Sequence, residues 1–271
     1  MRHSFRFTRY MGSAAAAALL AVSLAGCQTA RSPDITGSLD ARADVNPSNS
    51  ANSPSRNEIE SYGERYRANP RDAAAALAYG QALRLNGQRQ QAVAVLEQAT
   101  IANSGNKALM AAYGRALADN GSFQRAFDVL ARAHTPANPD WRILSVQGTT
   151  LDQLGKHEEA RRYYMSALKI APEEPSVLSN LGLSYMLSKN LAQAEQVLRR
   201  AYDRGTPDAR VRQNLGLVVG LQGRFAEAET IVKADLPADQ AEANVAYLKQ
   251  MLNRDGERGP RTSAAASANR S

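Results

Sequence analysis

Glycine recurs at intervals of 34 residues, at Gly80, Gly114, Gly148, Gly182 and Gly216, and each is followed twelve residues later by alanine: Ala92, Ala126, Ala160, Ala194 and Ala228. A period held over five units without a gap is the signature of a repeat array, in which each unit buries its apolar face against the next. Counted from Ala73, Lys107, Trp141, Pro175 and Ala209, glycine stands at position 8 and alanine at position 20. A second alanine stands at position 27 in the first four units, as Ala99, Ala133, Ala167 and Ala201.

The apolar residues of each unit read as two helices. In the third, Leu144, Gln147/Gly148 and Leu151 share one stripe, and Ala160, Tyr164, Ala167 and Leu168 form another. Between the helices Gly87, Gly121, Gly155 and Gly223 occupy position 15, where a residue without Cβ can take the left-handed conformation that ends a helix. The fourth unit has Lys189-Asn190 there, and asparagine is the expected substitute. Small side chains at 8 and 20 are expected to let the two helices cross closely, with alanine at 27 doing the same toward the following unit.

This pattern resembles the tetratricopeptide repeat, which has small residues at 8, 20 and 27 and bulky ones at 4, 7, 11, 17 and 24. Those bulky places hold Met110, Tyr113, Leu117, Phe123 and Leu130 in the second unit, and Leu178, Leu181, Tyr185, Leu191 and Leu198 in the fourth. Two departures are that tryptophan is absent from position 4 and that, within the five units, proline at 32 survives only as Pro172. The resemblance implies an all-α solenoid of five helical hairpins: 73–106, 107–140, 141–174, 175–208 and 209–238. Upstream, Ile59, Tyr62, Tyr66 and Pro70 fit the second helix of a half repeat. Downstream, Asp235 replaces the alanine at 27, Leu236-Pro237 breaks the helix, and Asp239 with Glu242 offers a capping box. A last helix, 239–252, presents Ala241, Val245, Leu248 and Leu252 as a cap for the open face of the fifth repeat. The repeat domain is thus expected over 57–252.

The chain opens with Arg2, Arg6 and Arg9, continues through an apolar run from Ala14 to Leu24, and reaches Leu24-Ala25-Gly26-Cys27. This resembles a bacterial lipoprotein signal, 1–26, whose basic start stays cytoplasmic and whose small residues fit a peptidase site. A run of about eleven apolar residues falls short of the roughly 20 that cross a bilayer. Cys27 is the only cysteine, so an intramolecular disulfide is ruled out and no cysteine metal site is expected. The resemblance implies that Cys27 is lipidated and becomes the mature N-terminus, several acyl chains holding the protein where one would not. Gln28 stands where an inner-membrane retention aspartate would, which implies the periplasmic face of the outer membrane.

Residues 27–56 combine that lipidated cysteine with a Ser-, Asn-, Pro- and Asp-rich stretch too polar to fold alone, which reads as a tether able to span about 30 Å as a coil. The segment 253–271 is expected to be a disordered tail. The formal charge of +7 overstates the mature chain, because without the three arginines of the signal 30 basic residues face 26 acidic ones, a net +4. Basic residues such as Arg84, Arg89, Arg161, Arg162, Arg199 and Arg200 are scattered over many helical faces rather than gathered beside aromatics, so nucleic acid is not an expected partner.

Chemistry is not expected either. Downstream of the signal only His134 and His157 remain, neither in a ligand-spaced or nucleophile-activating pattern, and His157 at position 17 reads as packing. The pairs Glu158-Glu159 and Glu173-Glu174 lie at helix starts, where the helix dipole stabilises carboxylates. No glycine-rich phosphate loop and no metal cluster are present, so neither enzyme activity nor a cofactor is expected.

In proteins of this repeat class the first helices line the inner face, and positions 2, 5, 9, 12 and 13 meet ligands. Here repeats one to three place a mixed surface there: Gln81, Arg84, Arg115, Asp119, Arg142, Thr149, Asp152 and Gln153. Repeats four and five place an apolar one: Leu183, Met186, Leu187, Leu217 and Leu221. A carboxylate clamp would need lysine and asparagine at 5, 9 and 13, yet position 5 reads Leu77, Ala111, Ser145, Ser179 and Gln213, which argues against it. The apolar end is expected to take an amphipathic helix or extended segment of a partner, with the polar end setting register. The alternative is that the final helix covers this patch.

The end of the array, RVRQNLGLVVGLQGRFAEAE from Arg210 and then ADLPADQAEANVAYLKQML from Ala234, resembles the TadD family of tight-adherence (Flp) pilus assembly lipoproteins. The break at Asp235-Leu236-Pro237 and the run Asn244-Val245-Ala246-Tyr247-Leu248 carry that resemblance. It implies a non-catalytic outer-membrane accessory that helps assemble the secretin or other components through which Flp pilin fibres leave the cell. A general periplasmic adaptor, for example one scaffolding cell-wall hydrolases, would use the same array and anchor.

Overall fold

A computed structural model describes residues 54–203 and 208–257, with side chains through Arg254. All of these lie in one unit of the chain, residues 33–271. Cys27, the signal 1–26, the tether up to residue 53 and the tail from residue 258 onward lie outside the described residues.

The described residues form twelve helices. A single helix, α1 (Arg56–Ala68), precedes five hairpins: α2 (Ala73–Leu85) with α3 (Arg89–Ala102), α4 (Lys107–Asp119) with α5 (Phe123–Ala133), α6 (Trp141–Gln153) with α7 (His157–Ile170), α8 (Pro175–Leu187) with α9 (Leu191–Tyr202), and α10 (Ala209–Leu221) with α11 (Phe225–Val232). Helix α12 (Ala238–Glu257) follows. The half repeat, five hairpins and cap expected from the 34-residue period are all present.

Every first helix opens on an acidic or amide side chain at position 34 of the preceding unit. Asp72, Asn106, Asp140, Glu174 and Asp208 accept a first-turn backbone N–H from Ala74 (2.8 Å), Leu109 (3.1 Å), Arg142 (2.7 Å), Ser176 (3.4 Å) and Arg210 (2.6 Å). Each such cap stabilises a helix by about 1 kcal/mol, so the array carries a second periodic signal that the glycine pattern alone does not contain. Ser55 and Glu58 form a reciprocal capping box on α1, with bonds of 3.3 and 2.7 Å.

Gly87, Gly121, Gly155 and Gly223 end their first helices at φ of +74°, +79°, +76° and +83°. In the fourth repeat the residue that turns is Lys189, at φ +62°, and not Asn190. Asn190 stays at negative φ and caps α9 by accepting the N–H of Gln193 at 3.3 Å. The asparagine is therefore occupied as a cap, and the lysine bears the steric cost of the left-handed turn. Among the acidic pairs, Glu158 and Glu159 lie in the first turn of α7 as expected. Glu173 instead turns the chain at φ +62° and pairs with Arg200.

The two helices of a hairpin are locked where position 8 meets position 24. A Cβ built on Gly80, Gly114, Gly148, Gly182 or Gly216 would lie only 2.5–2.6 Å from Leu96, Leu130, Tyr164, Leu198 or Val232. Alanine at 20 lies beneath: Ala92, Ala126, Ala160 and Ala194 are fully buried, and Ala228 is nearly so. Neighbouring first helices, α2 to α4, α4 to α6, α6 to α8 and α8 to α10, approach one another directly, whereas the second helices α3, α5, α7, α9 and α11 do not. The first-helix layer is therefore the inner one. On the outer side long side chains bridge the wider gap: Arg199 pairs with Glu227 at 2.5 Å and Arg224 with Glu195 at 2.8 Å, joining α9 to α11.

At the far end α12 departs from its expected bounds. It starts at Ala238, with the N–H of Ala241 donated to the carbonyl of Pro237 at 3.0 Å, so Asp239 falls inside the first turn and the Asp239/Glu242 box is not its cap. It continues to Glu257, because one asparagine and one glycine in a helix cost only about 0.7–1 kcal/mol each and do not end it. Asp235 lies beyond the end of α11, where its carboxylate accepts both prongs of the Arg212 guanidinium, the Nε arm at 2.5 Å. Gly220 provides a notch for the cap, since a Cβ there would sit 2.6 Å from Leu248.

Two stability measurements follow. Gly182→Ala should destabilise the domain by about 1–3 kcal/mol in urea denaturation, the usual cost of overpacking. Combined with Leu198→Ala it should cost less than the sum of the two single changes, whereas additivity would disprove the interlock. Lys189→Gly should stabilise by about 0.5–1 kcal/mol, because it removes a side chain from a left-handed residue; no gain would contradict the strain assigned to that turn.

Candidate partner-binding groove

The inner face runs along α2, α4, α6, α8 and α10, and its character changes along the stack. At the polar end Gln81 is exposed, Arg115 and Thr149 are half-buried, and Arg84 donates to Asp119 at 2.6 Å. The Arg142 guanidinium lies 4.3 Å over the ring of Trp141. At the apolar end Leu183 and Leu217 are buried, 9% and 8% exposed, so they contribute little to a free surface. Met186, Leu187 and Leu221 are half-buried, and Met186 packs on the core between the last two hairpins.

Position 5 is not a surface position over the middle of the array. Ala111, Ser145 and Ser179 are buried, and the two serines join successive repeats. Asn180 donates its side-chain N–H to Ser145 Oγ at 3.2 Å, and Asn214 donates to Ser179 Oγ at 2.8 Å. Asparagine at position 6 thus reaches serine at position 5 one repeat back. The pairing was readable from the spacing of these residues once the first helices are known to touch.

Asp152 was expected on the mixed surface, but it is buried in a hydrogen-bonded cluster. The cause is Tyr164, which fills position 24 where the other repeats hold leucine or valine. A buried phenol needs a partner, and Tyr164 donates to Asp152 Oδ2 at 2.9 Å. The same carboxylate accepts from Ser184 Oγ at 2.8 Å, and its Oδ1 lies 2.9 Å from His157 Nδ1. Burial first, and then the Asp152 charge, push the Tyr164 hydroxyl well above the ordinary phenol range, so it stays a donor. His157 therefore binds a carboxylate rather than serving only as packing. His134 Nε2 lies 3.1 Å from Gln147 Oε1, and its Nδ1 is buried without a partner.

Leu217 also lines a pocket of about 110 Å³ with Val232, Leu236, Val245 and Leu248, rimmed by Gln213 and Asn244. The final helix thus shares the end of the apolar patch, while Leu187 and Leu221 stay half-exposed. An open basin at the start of α7 sets Lys156 and Arg162 beside Glu158 and Glu159, charges that balance one another. Among the described residues no group of His, Cys, Asp or Glu converges as a metal site. Among the same residues no helix is long and apolar enough to cross a membrane.

Asp152→Ala should destabilise the domain by about 2–4 kcal/mol, since the donors of Tyr164 and Ser184 are then left buried and unpaired. Adding Tyr164→Phe should recover about 1 kcal/mol of that loss in the same denaturation assay. Equal stability of the single and double variants would show that the cluster is not held by that phenol.

The family profile described as tetratricopeptide repeat matches residues 80–140 and 146–209. Comparison with curated proteins gives no significant match. Among solved structures, the Cut9–Hcn1 hetero-tetramer of the APC/C aligns with a TM-score of 0.61 at 17% identity, over 74% of this chain and 40% of that one. Pseudomonas aeruginosa pilF aligns with a TM-score of 0.52 at 18% identity, over 66% of this chain and 82% of that one. YrrB, described as a TPR protein with an unusual peptide-binding site, aligns with a TM-score of 0.49 at 14% identity, over 71% and 99%. At these identities the likeness concerns the fold alone. With the hairpin register, the profile matches and the two neighbours above a TM-score of 0.5 in agreement, the described domain has the all-α fold of a tetratricopeptide-repeat solenoid.

Proposed function

We propose that this chain is a non-catalytic scaffold, held by a lipid on Cys27 at the periplasmic face of the outer membrane, whose repeat domain captures protein partners for assembly and secretion of a tight-adherence (Flp) pilus. Capture of a protein partner is what tetratricopeptide-repeat domains do, and the inner face offers it a graded surface. The observation that carries the reading is that Leu187 and Leu221, on neighbouring first helices of that surface, stay half-exposed. An apolar strip of this kind suits one face of an amphipathic helix. The Leu24-Ala25-Gly26-Cys27 motif supports the anchor, and the TadD-like end of the array supports the pilus role.

Two experiments test this. Cys27→Ser should move the protein from the membrane to the soluble fraction, and retention on the membrane would refute the anchor. Leu187→Glu with Leu221→Glu should reduce capture of partners from solubilised membranes at least tenfold while far-ultraviolet circular dichroism stays unchanged. Undiminished capture would remove the groove. Recovery of cell-wall hydrolases in place of a secretin or other pilus components would favour the general adaptor.

A further inference from the structure

The inner face of repeats two and three carries two guanidinium groups that form no direct ion pair with a carboxylate among the described residues. Arg115, at position 9 of α4, is half-buried yet makes no hydrogen bond or ion pair among the described residues. Arg142 is exposed, and its guanidinium rests on the ring of Trp141. The acids of this region are already engaged. Asp119 holds Arg84 at 2.6 Å, Asp140 accepts the backbone N–H of Arg142 at 2.7 Å, and Asp152 is enclosed by Tyr164, Ser184 and His157. Burial, and next the nearby charge of Arg84, draw the Arg115 pKa below the usual arginine range, with Arg142 acting in the same direction and Asp140 and Asp119 opposing. The group nonetheless remains a cation, with its full fork of donors.

We propose that Arg115 is the anchor for a carboxylate side chain on an acidic segment of a partner protein, docked across the first helices of repeats one to three with Arg84 and Arg142 flanking it. This rests on the reading of the inner face as a partner groove and names the chemistry of its polar end. A planar guanidinium already stripped of part of its water gains most from a bidentate carboxylate, whose charge-assisted bonds are about twice as strong as neutral ones. The surroundings favour a peptide over a polyanion. Gln81 and Thr149 beside the site are neutral, and Leu85 on α2 is 55% exposed and offers an apolar contact. Further along, the face turns largely to leucine and methionine, with an exposed Arg210 at the start of α10, a surface that suits a peptide better than a run of phosphates.

The test uses a fluorescein-labelled, end-capped decapeptide of alternating glutamate and alanine, followed by anisotropy at low and physiological ionic strength. The native protein should bind it at least tenfold more tightly than the glutamine–alanine counterpart. Arg115→Gln should lose at least tenfold in affinity with unchanged circular dichroism, and Arg115→Lys should recover only part of it. Arg142→Gln, a change at an exposed position, should lose about threefold, and Arg162→Gln on the outer side should lose nothing. Failure of the native protein to bind, or equal binding by Arg115→Gln, would overturn the proposal. So would tighter Arg115-dependent binding of a single-stranded oligonucleotide or a phosphopeptide of equal length. If Leu187→Glu with Leu221→Glu abolishes partner capture while Arg115→Gln still captures and binds the peptide, this inference fails and the groove reading stands. If capture ignores the leucine changes while peptide binding still depends on Arg115, the groove reading fails and the carboxylate anchor stands.

Discussion

Each hairpin depends on one steric interlock, a bare Cα at position 8 receiving the bulky side chain at position 24. Leu96, Leu130, Tyr164, Leu198 and Val232 each occupy the space that a Cβ would need. Close packing makes such a site intolerant of even one added carbon, because the interior has no free volume to absorb it. The crossing fixes the hairpin, stacked hairpins bring the first helices together, and that contact creates the inner face. The inner face is thus a consequence of five glycines that lie beneath it.

The architecture was readable because its determinants are small residues at fixed spacing, and spacing survives translation into geometry directly. Gly87, Gly121, Gly155 and Gly223 turn where the period places them. Exposure was harder to read because it depends on the neighbour as well as the position. Leu183, Leu217, Ser145, Ser179 and Asp152 all stand at nominal ligand positions, yet adjoining repeats or local polar partners bury them. In the case of Asp152 the clue was present, since a tyrosine at position 24 carries a hydroxyl that must find an acceptor. The Lys189 turn was misread for a related reason: Asn190 could serve either the turn or the next helix start, and the N–H of Gln193 decided it.

The same interlock relates the domain to the proposed scaffold. The stacked first helices place a cationic site and an apolar strip on one face, so one extended partner would be read at both ends. In that proposal Arg115 would supply charge selectivity where water is partly excluded, and Leu187 and Leu221 would supply area. The final helix limits that area, because Leu248 seats on Gly220 and closes one side of the strip. A lipid on Cys27 would then set where the captured partner is held, and the repeat domain which partner it is.

The crystal structure of the Gly114→Ala variant, compared with that of the native protein, tests the central claim most directly. If the interlock sets the fold, Leu130 must leave its place, α4 and α5 must move apart by several tenths of an ångström, and the spacing of α4 from α2 and α6 must change with them. An alanine accepted with Leu130 in place and the helix spacing unaltered would contradict it.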